Sequence, residues 1–148
     1  MSGSLLAGLE ARLGHSFRDP DLLVQALTHA SYAHEHPPVP QNETLAFLGD
    51  AVVGLVVAEL LVARAPRDGV GPLTQRRAVA VSAPSLAAWA VRLDLSTHFR
   101  LGCGEEQGGG RDKESILATA FEAVVGAVYL DGGLESAKRL IARLLDHP

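Results

Sequence analysis

A lone cysteine, Cys103, excludes an internal disulfide and suits a reducing, cytoplasmic setting. Aromatic residues make up only 5% of the chain, which leaves few large anchors for a core. Positive charge is scarce as well. Thirteen Lys and Arg against 17 Asp and Glu give a net charge of −4, which is not the footprint of a strongly basic nucleic-acid binder. No basic segment precedes a hydrophobic one near the start, so no signal peptide is expected. Internal repeats, a low-complexity tail and an alternating strand pattern are all missing.

What remains is a chain of 148 residues, 47% hydrophobic and dominated by Ala, Leu and Val. That length fits one domain, residues 1–148, with a real core. The composition favours packed helices, and the expected class is all-α. Ser4 to Leu13 reads as an amphipathic helix ended by Gly14. Asp19-Pro20 pairs a cap with a proline at the first helical position, starting a helix that runs to about Thr28. His29, His34 and His36 follow, near Pro37, Pro38 and Pro40. No cysteine or further close-set ligand completes a zinc site with them, and they are read as a polar helix end and loop. Later helices are expected from near Leu73, from Ser82-Ala83-Pro84, and from Leu134 to Leu145. The glycine-rich stretch LGCGEEQGGG, Leu101 to Gly110, reads as a flexible connector, with backbone approach to a phosphate as the alternative.

Two segments stand apart. Asn42 is a good N-cap for a helix that runs without proline to about Ala65, and between Thr44 and Ala58 its only charged residue is Asp50. Between Ser115 and Leu130, in a helix expected from about Asp112, the only charged residue is Glu122. The first run is long enough to span a bilayer, but Asp50, Glu59 and amphipathic neighbours favour a buried helix, with no membrane partner. A carboxylate in such surroundings is costly to bury unless a cation, a metal or several donors meet it. Two apolar helices with one acid each imply that Asp50 and Glu122 share a site. On residues alone, these acids read equally as satisfying buried donors or pairing with Arg76 or Arg111. Arg76 with Arg77, and Arg111 with Lys113, read equally as solvated surface charge and as phosphate contacts.

The segment QNETLAFLGDAV, Gln41 to Val52, resembles the signature of the ribonuclease III family, usually NERLEFLGDAV. The likeness continues through LTHASY (27–32), LTQRRA (73–78) and LGCGEEQGGGRDKESILATAFEAVVGAVYLDGG (101–133). It covers the catalytic-type domain. The resemblance implies a helical domain that forms a two-fold homodimer, with Phe47 at the contact rather than in a core. It also implies double-stranded RNA as partner, contacted by Arg76, Arg77, Arg111 and Lys113. The implied chemistry is Mg²⁺- or Mn²⁺-dependent hydrolysis by four clustered carboxylates, two per apolar helix. Asp50 and Glu122 match two of those positions, and Glu43 matches a further acid of the signature. Ala46 and Thr119 stand where the other two carboxylates belong. An acid usual before LTQRRA is replaced by Val70-Gly71-Pro72, and a basic residue usual in the glycine loop by Cys103.

Three functions follow as expectations. The first is a ribonuclease III-like protein that binds structured RNA through a degenerate metal site and has lost most cleavage, a pseudoenzyme. The second is a working Mg²⁺-dependent endoribonuclease. The third is a dimerisation module within a ribonucleoprotein.

Overall fold

The computed structural model describes residues 3–147. Among these residues nine α-helices follow one another: α1 Gly3–Leu13, α2 Pro20–Ala26, α3 Ala30–Glu35, α4 Glu43–Arg64, α5 Val70–Ala80, α6 Ala83–Arg92, α7 Cys103–Gln107, α8 Glu114–Gly132 and α9 Leu134–Asp146. Short 3-10 turns occupy Leu95–His98 and Gly110–Asp112. No strand occurs among the described residues, as the all-α expectation requires.

The apolar helix α8 is the axis of the molecule. Eleven of its residues, from Ile116 to Val128, are buried, and α2, α4, α6 and α9 pack around it. Its partner α4 is equally apolar but buries only one side, from Leu45 through Val53 and Val57 to Leu60. Both helices are long and apolar enough to cross a membrane, yet they pack on each other as core helices. Glycines set how closely they approach. A Cβ on Gly49 would fall 1.6 Å from the Glu122 carbonyl oxygen, and one on Gly126 would fall 2.3 Å from that of Leu45. Backbone lies directly on backbone there, a spacing that excludes any side chain.

Local signals explain some helix ends. Asp19 caps α2 by accepting from the Asp21 amide, and Ser82 caps α6 by accepting from that of Ser85. Four expectations need correction. Asn42 does not cap α4 with its side chain; it is buried, and its Nδ2 donates to the Ala26 carbonyl at 3.0 Å, fastening α2 to the start of α4. The histidine stretch contains a helix, α3, capped by the His29 ring, which accepts from the Ser31 amide. Helix α5 starts at Val70, three residues early, because Pro72 falls in its first turn where no N–H is needed. The glycine-rich stretch is not a free connector: it holds α7 and a 3-10 turn, fastened by the Ser31 hydroxyl accepting from Gly102 N and by Glu35 accepting from Cys103 N.

A carboxyl pair where the apolar helices meet

Asp50 stands on the exposed side of α4, one residue after the glycine that lies on the Glu122 carbonyl. Glu122, half-buried on α8, is therefore brought against it, and the two carboxyls share a hydrogen bond. Burial, that bond and the neighbouring negative charge together push the Glu122 pKa up to about 7. The pair thus holds on to a proton well above the pH at which a free carboxyl releases it.

The surroundings of the pair are neutral. Ala46, one turn before Asp50, is buried and supplies a methyl group. Thr119, nearly one turn before Glu122, is half-buried and supplies a hydroxyl. Glu43 is exposed at the first position of α4, about 10 Å along the axis from Asp50. Among the described residues no three His, Cys, Asp or Glu side chains converge, so Glu43 does not join the pair and the histidines form no cluster.

The basic residues have other partners. Arg76 pairs with Asp68 at 2.8 Å, and Lys113 with Glu105 at 2.9 Å. Arg111 donates to the Ser96 and Phe99 carbonyls at 2.6 and 3.0 Å and to Glu106 at 2.8 Å. Its guanidinium pins the glycine-rich stretch to the turn before it. Neither arginine meets Asp50 or Glu122. Arg77 is exposed on α5. Phe47 is no core residue: it is 83% exposed, and Leu55, Val62 and Val70 are exposed with it.

Sequence reasoning missed the glycine contact and a hollow of about 710 Å³ between α3 and α7, bordered by His34, Glu35, Gln41 and Glu105. Glycines at 49 and 126 inside two continuous apolar runs were the available signal for the contact. Nothing local signals the hollow, whose walls lie some 70 residues apart in sequence.

A helical domain organised on two apolar helices, with a carboxyl pair at their crossing, is the architecture of a ribonuclease III nuclease domain. The nuclease domain of ribonuclease III from Campylobacter jejuni superposes with a TM-score of 0.89 at 40% identity, covering 95% of this chain and 96% of that one. That structure concerns flexibility in the region of the Campylobacter protein involved in dimer formation. Dicer from Pichia stipitis shares the fold, with a TM-score of 0.60 at 21% identity over 87% of this chain and 57% of that one. A family model described as Ribonuclease-III-like matches residues 19–147. Ribonuclease 3 of Symbiobacterium thermophilum is 53% identical over 133 residues, 90% of this chain and 56% of that protein. Ribonuclease 3 of Streptomyces coelicolor is 51% identical over 138 residues, 93% and 50%. The chain belongs to the ribonuclease-III-like family. It spans about half the length of these curated relatives.

Proposed function

We propose that this chain binds structured, double-stranded RNA as a two-fold homodimer, through a ribonuclease III nuclease fold whose cleavage is weak or lost. One observation carries the reading: where α4 and α8 meet, two carboxyls converge and the adjacent positions, Ala46 and Thr119, bring no charge. Mg²⁺ demands anionic oxygens at fixed octahedral geometry and gives up its waters reluctantly. Two carboxylates with the neutral Ala46 and Thr119 beside them do not fit that demand, and Mn²⁺ meets the same two ligands. Kinship with proteins named ribonuclease 3 supports the RNA partner, and the exposed Phe47 supports the dimer. A role inside a ribonucleoprotein is compatible with the same surface, as is a cytoplasmic setting.

Incubation with long duplex RNA and Mg²⁺ or Mn²⁺ tests the reading, together with a mobility-shift assay on the same RNA. The unmodified protein should retard the duplex and cut it slowly or not at all. The double change Ala46→Glu with Thr119→Asp places acids one turn from each retained acid, and should bring metal-dependent cleavage that Glu122→Gln removes again. Robust cleavage by the unmodified protein would overturn the proposal in favour of a working endoribonuclease. Failure to bind duplex RNA would leave the dimerisation module.

A further inference from the structure

Three arginines close a ring at one end of the molecule, far in sequence from the carboxyl pair. Arg12, in the last turn of α1, donates Nε to the carbonyl of Leu93, the residue just after α6, at 2.8 Å. Arg92, the final residue of α6, donates to the Leu144 carbonyl in the last turn of α9 at 3.1 Å. Arg143 of α9 donates in turn to the Arg12 carbonyl at the end of α1. Each helix thus caps the C-terminal end of the next, cations against carbonyl ends. Between them lies a hollow of about 230 Å³, lined by Arg12, Arg92, Leu93, Arg143, Leu144 and His147.

Capping alone accounts for one arm of each guanidinium. A guanidinium carries five N–H donors, and Arg92 and Arg143 each spend one on a carbonyl. Arg12 spends a second on His98, whose pKa is lowered by burial and by the arginine's charge, so that the ring accepts. Nearby acids neutralise the ring only in part. Asp94 reaches Arg12 only at 4.0 Å and accepts from the Thr97 hydroxyl, and Asp146 is paired with Arg64 of α4 at 2.6 Å. Three like charges gathered at one small hollow, in a chain of net charge −4, are offset only in part by the carbonyls they cap and leave positive potential for an anion.

We propose that this hollow is an anion site for a phosphate group, held by the free arms of Arg12, Arg92 and Arg143. Converging guanidiniums suit a tetrahedral, multiply charged oxyanion better than a planar carboxylate, which one guanidinium satisfies alone. The carbonyl contacts fix the side chains in advance, so little rotamer entropy remains to be lost on binding. The phosphate is either a free anion or a backbone group of RNA, and the same contacts serve both.

The 148-residue chain, titrated with inorganic phosphate at constant ionic strength and followed by amide chemical shifts, provides the test. Saturable shifts should concentrate at residues 12–14, 92–94 and 143–147, and chloride should not reproduce them. Arg92→Gln keeps a donor for Leu144 but loses the charge, and should weaken binding at least about tenfold. A short RNA duplex that shifts the same amides and competes with phosphate identifies a backbone phosphate; a duplex that leaves them unmoved identifies the free anion. Absence of saturable shifts at these residues in the unmodified protein overturns the proposal, whether or not the variant folds. So does unchanged affinity in a folded Arg92→Gln protein.

Discussion

Gly49 is the residue on which the carboxyl pair depends. Any side chain there would meet the Glu122 carbonyl oxygen at 1.6 Å, so one helix must move off the other. Gly49→Ala should cost about 3 kcal/mol or more, the range of severe overpacking. Urea unfolding measures this, and a loss under about 0.5 kcal/mol would refute the backbone contact. Glu122 itself gives a pH signature. Its pKa is pushed up to about 7 in the folded chain against 4.5 as the ordinary value. Between those two pH values the folded state holds a proton that the unfolded state has released, so stability falls as pH rises through the window and levels off above it. The half-exposed position screens the pair, leaving a loss on the order of 1–2 kcal/mol. Glu122→Gln should flatten that part of the profile and raise stability at pH 8, as thermal unfolding at pH 5 and pH 8 would show. An identical profile in the variant would mean that the acids do not share a proton.

At the scale of elements, α4 and α8 were legible because an apolar surface around most of a helix demands burial on most sides. The convergence of Asp50 and Glu122 was legible for the same reason: each is the only charged residue in an apolar run, and two such acids lower their cost by sharing one polar opening. Their depth of contact was not, because a glycine in an apolar run carries no mark of what lies opposite it. Helix α7 escaped the sequence because its five residues, CGEEQ, are too few to show a period and glycines flank them, and Glu35, Ser31 and Arg111 hold them from outside. The basic residues were legible as charge but not as pairs, since Arg76 and Arg111 find partners only in the folded chain. Helix α5 shows the opposite limit. It buries no residue at all, and the Arg76–Asp68 pair and the Ser82 and Ser85 hydroxyls on the Val79 carbonyl anchor it. Such a helix opens without the core. Its amides should exchange at least about a thousandfold faster than those of α8, equivalent to about 4 kcal/mol less opening free energy. Equal protection in hydrogen exchange would show that something covers α5 in solution.

At the scale of the whole molecule, the outer side of α4 is what the fold leaves unfinished. Phe47 is 83% exposed, Leu55 55% and Val62 57%, and Val70 on the next helix is 81% exposed. Positions 47, 51, 55, 58 and 62 fall on one side of a helix, so these side chains form a stripe rather than scattered points. A second copy of the same stripe is its natural cover. About a two-fold axis each residue is used twice, and one substitution is felt on both sides of the contact. Phe47→Ala removes an anchor worth about 2–3 kcal/mol per copy, so the dissociation constant should rise at least about a hundredfold. Electrostatics makes a second, opposite test. Each copy carries a net charge of −4, so moderate salt should tighten the dimer by screening the repulsion, where a contact built on ion pairs would loosen. Sedimentation velocity at micromolar concentrations, in low and moderate salt, distinguishes these outcomes. A monomer throughout, or wild-type association in Phe47→Ala, would assign the stripe to a partner other than this chain.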